Sequence, residues 1–130
     1  MTQVQIGGKE YPVKLAIGAM IRFQNETGQD CTLFLEEMDT AFAEANGDAG
    51  KTSRVVFSRL GKLTALFYAA IENGISASGS DVEKPENALS LADQLAITDV
   101  ATVYAAVTST LVPVADTGEA KPKSAKKESR

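Results

Sequence analysis

Residues 4–28, VQIGGKEYPVKLAIGAMIRFQNETG, decide the fold because the spacing of apolar residues changes within them. Before Leu15, apolar and polar residues alternate on both sides of Gly7 and Gly8, and a glycine pair allows the positive φ angles of a two-residue hairpin turn. Pro12 has no amide proton and therefore suits an edge strand. A two-stranded hairpin is only marginally stable alone, so one of its faces must pack on the rest of the chain.

After Ala16 the apolar residues recur with the period of an α-helix, and later segments repeat this pattern. Residues 45–50 and 73–88 are polar and glycine-rich, so they are predicted to be loops. Gly61, inside the strongest helical pattern, is predicted to permit close packing. In the first predicted helix, Ile17, Met20, Ile21 and Gln24 fall on one side with Phe23 beside them, and Gly28 is the C-cap. The second predicted helix is capped by Asp30 or Thr32, and the central one runs from about Ser53 to Asn73 and is ended by Gly74. Two short helices are capped by Ser90 and Thr98.

Composition indicates a small globular protein with one domain. The chain has 130 residues, of which 44% are apolar and 23% charged. It lacks the run of roughly 20 apolar residues that a membrane span needs, and it has no secretory signal pattern. Cys31 is the single cysteine, which fits a reducing cytosol. We expect a mostly α fold with a short N-terminal β-hairpin, a small helical bundle (α+β) over residues 1–113, and a disordered basic tail over residues 114–130.

The charge of the chain is unevenly distributed. Residues 119–130 carry +3, so the other 118 residues carry −7 within a net charge of −4. An acidic body argues against nucleic-acid binding, which needs cations along the phosphate backbone. The basic tail could bind an acidic partner or nucleic acid, or it could simply keep the chain in solution.

Metal and nucleotide chemistry find little support in the sequence. The chain has no histidine and one cysteine, which leaves no ligand set for zinc. The stretch GDAGKTS, residues 47–53, places Gly-Lys-Thr before a helix, but Ala45 stands where a phosphate-binding loop needs its first glycine. An ordinary loop is therefore the better interpretation, and we expect no cofactor.

The sequence gives equally weak support to nucleophilic and to acid–base catalysis. Cys31 lies near a predicted helix N-terminus, which favours a thiolate, but no histidine can act as its base. A packing role is the better interpretation. Glu36, Glu37 and Asp39 could form a general acid–base pair, although such runs are more typical of a solvated helix face. We therefore expect that the protein is not an enzyme.

Binding is favoured by elimination, and two groups of residues are candidate contacts. Arg54, Arg59 and Lys62 lie at polar positions of the predicted central helix, where they could dock an acidic partner or form an ordinary solvated face. Four aromatic residues could contact a partner or belong to the core. They are Phe34, Phe42, Phe57 and Tyr68.

The order of these segments resembles the tail assembly chaperones of long-tailed phages and related prophages. In that family a short strand–turn–strand leads into a motif that is matched here by LAIGAMIRFQNETGQD, residues 15–30. LTALFYAAIENG, residues 63–74, is similar to the family's middle helix, and SLADQLAITDVATVYAAVTSTL, residues 90–111, to its final helix pair. The resemblance covers about residues 3–112.

The resemblance implies a non-catalytic role in the cytoplasm of the bacterial host. Such chaperones bind the long, helical tape-measure protein, keep it soluble and help to recruit tail tube subunits. The family often makes a longer product by a ribosomal frameshift, for which Lys126 and Lys127 are the candidate position because an A-rich slippery run can encode a lysine pair. Two departures from the family pattern are the residues CTLF, 31–34, and a longer loop at 45–53.

Other function classes stay open at this point. A head–tail connector and a tail tube protein are the alternatives among structural phage components, and a tube subunit should be mostly β. A small nucleic-acid-binding regulator would need a basic face. The unpaired edge of the hairpin additionally predicts self-association, because an open strand edge is a template for another strand.

Overall fold

A computed structural model of the protein describes residues 1–111 and confirms a mostly α fold with an N-terminal hairpin. The predicted tail and the Lys126–Lys127 pair lie outside the described residues. The elements are β1 (Gln3–Ile6), β2 (Lys9–Pro12), α1 (Ile17–Thr27), α2 (Cys31–Ala45), α3 (Ala49–Phe57), α4 (Leu60–Ser78), α5 (Ala88–Gln94), a 3₁₀ turn (Ile97–Asp99) and α6 (Val100–Ser109).

The hairpin has the predicted two-residue turn. Gly7 and Gly8 have φ angles of 61° and 83°, and β1 pairs with β2 in an antiparallel register that sets Ile6 opposite Lys9. Because hydrogen-bonded and non-hydrogen-bonded pairs alternate in such a ladder, Pro12 falls in a non-hydrogen-bonded pair opposite Gln3. The missing proline amide therefore costs the ladder no bond.

The second strand lies directly on the central helix α4. Lys14 donates its backbone N–H to the carbonyl of Ala70 at 3.0 Å. Gly74 faces the backbone of Pro12 and Val13 so closely that a side-chain carbon at position 74 would overlap the Pro12 carbonyl. The prediction that Gly74 ends this helix is wrong, because the helix continues to Ser78 and ends at Gly79, whose φ is 70°. Gly74 instead lets strand and helix approach.

Helix α4 forms the middle of the core. It contacts α1, α5, α6, α3 and β2, and most of its residues between Leu63 and Gly74 are buried. Phe23 of α1 and Phe34 of α2 pack with their ring centroids 5.1 Å apart. The inner face of α6 is formed by Val100, Val103, Tyr104 and Val107, as its spacing predicts.

The apolar side predicted for α1 is wrong for its two isoleucines. Ala19 and Phe23 are buried, whereas Ile17 is 74% exposed and Ile21 53% exposed. Gly18 lies against the Asn73 side chain of α4, so the small face of α1 approaches α4 and the two isoleucines turn towards solvent. Met20 is half-buried at the edge of the core.

The predicted central helix from Ser53 to Asn73 is two helices, α3 and α4, separated at Ser58–Arg59. Ser58 donates its hydroxyl to the Val55 carbonyl at 3.0 Å, and Arg59 has φ −133° and ψ 23°, outside the helical region. A serine hydroxyl that competes for backbone carbonyls favours such an interruption. The apolar period continues across the break, which is why periodicity alone joined the two helices.

The helix caps are partly as predicted. Asp30 caps α2 by accepting a hydrogen bond from the Leu33 N–H at 3.1 Å, and Gly28 ends α1 with φ 76°. Helix α5 begins earlier than predicted because Asn87 is its N-cap and accepts from the Ser90 N–H at 2.8 Å. Thr98 lies inside the 3₁₀ turn, and α6 has no side-chain cap.

The two predicted loops are shorter than expected. Only residues 46–48 separate α2 from α3, and only residues 79–87 separate α4 from α5. Both predictions overestimated the loops because helix-compatible residues next to glycine were assigned to them. Within residues 1–111, no helix has both the length and the hydropathy that a bilayer crossing requires.

Two glycines of α4 give opposite expectations for a change to alanine. Gly74→Ala should lower the free energy of unfolding by about 3 kcal/mol, because the new methyl group overlaps the Pro12 backbone. Gly61→Ala should raise it by about 0.5 kcal/mol, because no atom lies within 4 Å of that position and alanine is the better helix former. Urea unfolding of both variants measures the two changes, and equal effects would contradict the described strand–helix contact. Because no atom lies within 4 Å of a side-chain carbon built at position 61, the prediction that Gly61 permits close packing is wrong.

Candidate partner-binding surface

Phe34 belongs to the core and is not available to a partner. Its side chain is 0% exposed and packs against the Phe23 ring. It follows the N-cap Asp30 by four residues, which turns it inwards on the first turn of α2.

Phe42 and Tyr68 are half-buried, and both have structural contacts. The Phe42 ring centroid lies 5.5 Å from that of Tyr104, whose hydroxyl donates to Asp39 Oδ1 at 3.3 Å. The Tyr68 hydroxyl lies 3.2 Å from the carbonyl oxygens of both Pro85 and Glu86 and so holds the chain in front of α5. Burial raises the pKa of the Tyr68 hydroxyl, and the nearby Glu72 charge adds to the increase. These two aromatic residues therefore hold elements together more than they present a surface.

Arg59 and Lys62 are members of a polar network that joins α2 to the start of α4. Arg59 Nε donates to Glu37 Oε2 at 2.9 Å, and Lys62 Nζ donates to Gln29 Oε1 at 2.6 Å. Gln29 Nε2 closes the network by donating to Glu37 Oε1 at 3.3 Å. The hydrogen bonds from Gln29 and Arg59 hold the pKa of Glu37 below its usual value. Both cations already have partners inside the protein.

Arg54 is the predicted cation that is left for a partner. It is exposed on α3, and within residues 1–111 it forms no ion pair. Together with Lys51 and Glu44 it lines a depression of about 400 Å³ between α2 and α3. One turn further along α3, Phe57 is 58% exposed, so it is the one predicted aromatic that the structure places at the surface.

A mostly apolar groove lies between α4 and α5, and we call it the α4/α5 groove. Leu60 and Leu89 form its rims and are 37% and 72% exposed, while Gly61 leaves its floor open. The groove measures about 320 Å³ and is lined by Leu60, Gly61, Thr64, Ala88, Leu89 and Ala92. The apolar period of the predicted central helix, residues 53–73, includes Leu60 and so predicts that it faces the core, which is why sequence reasoning missed the groove. The signal for Leu89 was its place two residues before the buried Leu91, since a helix cannot bury both on one face.

Cys31 is poorly suited to nucleophilic chemistry. It is buried at the start of α2, and burial together with the Asp30 charge raises the pKa of its thiol to about 11. A thiol with this pKa is protonated at neutral pH. Within the described part of the chain, no group of three or more His, Cys, Asp or Glu side chains could hold a metal ion.

Comparison with known protein families, with curated proteins and with solved structures finds no match to the chain.

The burial of Cys31 predicts slow chemical labelling. At neutral pH, iodoacetamide should modify the folded protein at least about tenfold more slowly than the urea-unfolded protein, because the thiol is both inaccessible and protonated. Mass spectrometry over time gives both rates. Equal rates in the folded and unfolded protein would show that the start of α2 is open to solvent.

The Glu37 network predicts a small, pH-dependent contribution to stability. Glu37→Gln should lower the free energy of unfolding by no more than about 1 kcal/mol at neutral pH, since the Glu37 side chain is 42% exposed. Because the pKa of Glu37 is lowered by folding, this contribution is present at neutral pH and disappears as the pH falls through the lowered pKa. Urea unfolding of both proteins at several pH values measures it. A difference that grows at acidic pH would contradict this sign.

Proposed function

We propose that the protein is a phage tail assembly chaperone that binds the helical tape-measure protein, keeps it soluble in the cytoplasm of the bacterial host and helps to recruit tail tube subunits. The observation that carries this proposal is the open, apolar α4/α5 groove on a small helical domain. The resemblance of residues 15–30 to the start of that family supports the same function. The role is one of binding and does not involve catalysis.

The groove has the properties of a surface for an amphipathic helix. Two leucine rims stand on neighbouring helices, and the small residues Gly61, Ala88 and Ala92 between them leave room for apolar side chains of a partner. A helix that repeats apolar residues every turn can lay that face into such a groove. A tape-measure protein exposes stripes of this kind over a great length, and uncovered apolar patches of that size aggregate.

The size of the groove agrees with a chaperone that must later dissociate from its partner. About 320 Å³ covers only a short part of a partner helix. Many copies, each held weakly, would therefore be needed along a long partner. Weak binding per copy lets arriving tube subunits displace the chaperone, because small interfaces are typical of transient complexes.

The alternative of another structural phage component is only partly supported by the fold. A tail tube subunit was expected to be mostly β, and residues 1–111 contain two strands of four residues each. A head–tail connector fits the helical content and stays as the second candidate. The two functions differ in a simple respect, because a connector remains in the mature virion and a chaperone does not.

A pull-down tests the proposal. The chain is expressed from its native DNA with the downstream reading frames and a tag at Met1, and the co-purifying proteins are identified by mass spectrometry. A large helical protein that becomes insoluble when this chain is deleted supports the chaperone. Recovery of this chain alone, with no such protein, overturns the proposal, and detection of the chain in purified virions favours the connector.

The groove gives a specific prediction for this experiment. Leu89→Gln should reduce the recovery of the large helical partner at least about fivefold, because Leu89 is 72% exposed and supplies apolar contact area to the partner. Ile17→Gln is the matched control, since Ile17 is 74% exposed but lies on α1, outside the groove. Equal recovery with both variants would move the binding site elsewhere, while circular dichroism verifies that both are folded.

A further inference from the structure

One edge of the hairpin is open, and its unpaired groups belong to β1. The alternation of the ladder, anchored by the bond from Val13 N–H to the Thr2 carbonyl at 2.9 Å, points the N–H and C=O groups of Gln3 and Gln5 away from β2. Within residues 1–111, neither amide donates to another residue. Unpaired backbone groups in an edge strand are a template for a further strand.

The other edge of the hairpin is largely closed. On β2, Pro12 has no N–H to donate, its carbonyl lies against Gly74, and Lys14 beyond it is bonded to Ala70 of α4. The protein thus blocks one edge with a proline and a helix, which are common protections against unwanted strand pairing. The β1 edge has neither a proline nor a charged residue between Gln3 and Ile6.

The surface beside β1 is concave. A depression of about 400 Å³ separates β1 from α6, and on the helix side its exposed lining residues are Asp99 and Thr102 together with the half-buried Ala106. These side chains are short. Gln3 and Gln5 also line this depression, so it lies next to the residues whose backbone groups are unpaired.

The charge distribution favours a second copy of this chain at the edge. Residues 1–25 contain three basic residues and one acidic residue, whereas residues 26–111 contain five basic and thirteen acidic residues. Two copies that meet through their hairpins make contact through residues 1–25, the segment with more basic than acidic residues. Residues 26–111 carry a net charge of −8, so contact between these parts of two copies brings like net charges together, which costs electrostatic energy.

We infer that β1 pairs with β1 of a second copy and forms a continuous four-stranded antiparallel sheet. The backbone N–H and C=O groups of Gln3 and Gln5 point away from β2, so they determine the register of the new pairing. Gln3 of each copy lies opposite Gln5 of the other, and the two Val4 residues face each other. This register is symmetric, so each copy gives and receives the same bonds. Four backbone hydrogen bonds form, and each Gln5 amide donates to a Gln3 carbonyl. The pairing does not require a tape-measure partner.

Pro12 suggests the variant that tests this pairing. Gln5→Pro removes only an outward amide, because position 5 is a non-hydrogen-bonded position like that of Pro12. It eliminates two of the four intermolecular bonds, so the dissociation constant of the dimer should rise roughly tenfold or more. Gln5→Thr is the matched control, since it keeps the amide and suits a strand. Sedimentation equilibrium over a wide range of concentrations measures the constants.

A second measurement needs no variant. Amide hydrogen exchange of the full chain at low and high concentration should show that protection of the Gln3 and Gln5 amides rises with concentration, while that of Val4 and Ile6 is constant. A protein that stays monomeric, or equal dissociation constants for the proline and threonine variants, would overturn the pairing. Protection of Gln5 that appears only with the large helical partner would assign the edge to that partner instead. These outcomes are independent of the pull-down, because no partner is needed to observe a dimer.

Discussion

The close contact between the Pro12 backbone and Gly74 is the constraint on which the arrangement of the molecule depends. It sets the hairpin against the middle of α4, and the bond from Lys14 to Ala70 extends the contact by one helical turn. Once β2 lies there, Tyr11, Val13 and Leu15 are buried, and β1 is left at the outside beside α6. One residue without a side chain thus determines which hairpin edge is covered and which is open.

Local signals in the sequence predicted the elements better than the faces they bury. Gly7, Gly8, Gly28 and Asp30 act through their own backbone or side chain, so the turn and caps that they predict were confirmed. The inner face of α1 depends instead on Gly18 approaching α4, a contact between residues 55 positions apart that no local pattern contains. The break at Ser58 was missed for a related reason, since an apolar period can continue through a change of helix direction.

The residues of the candidate surface were also hard to predict from local sequence patterns. Aromatic and basic residues were the predicted contacts, yet Phe34 lies in the core. Arg59 and Lys62 donate hydrogen bonds to other residues of the same chain. The exposed apolar residues of the α4/α5 groove include Leu60 and Leu89, which form one surface only because α4 packs against α5. The candidate groove is therefore defined by its shape and its exposed apolar area, and not by reactive side chains.

The hydrogen bond from the Leu15 N–H to Thr110 Oγ1, 2.8 Å long and 95 residues apart in sequence, has a consequence for synthesis. The hairpin can form within about 1–10 μs of leaving the ribosome, but α4 and α6, which stabilise it, are made much later. At about 5–20 residues per second, roughly 5–20 s pass between the synthesis of Leu15 and that of Thr110. Until α4 has been made, both edges of the hairpin are uncovered, so the early part of this interval is the stage at which wrong strand pairing is most accessible.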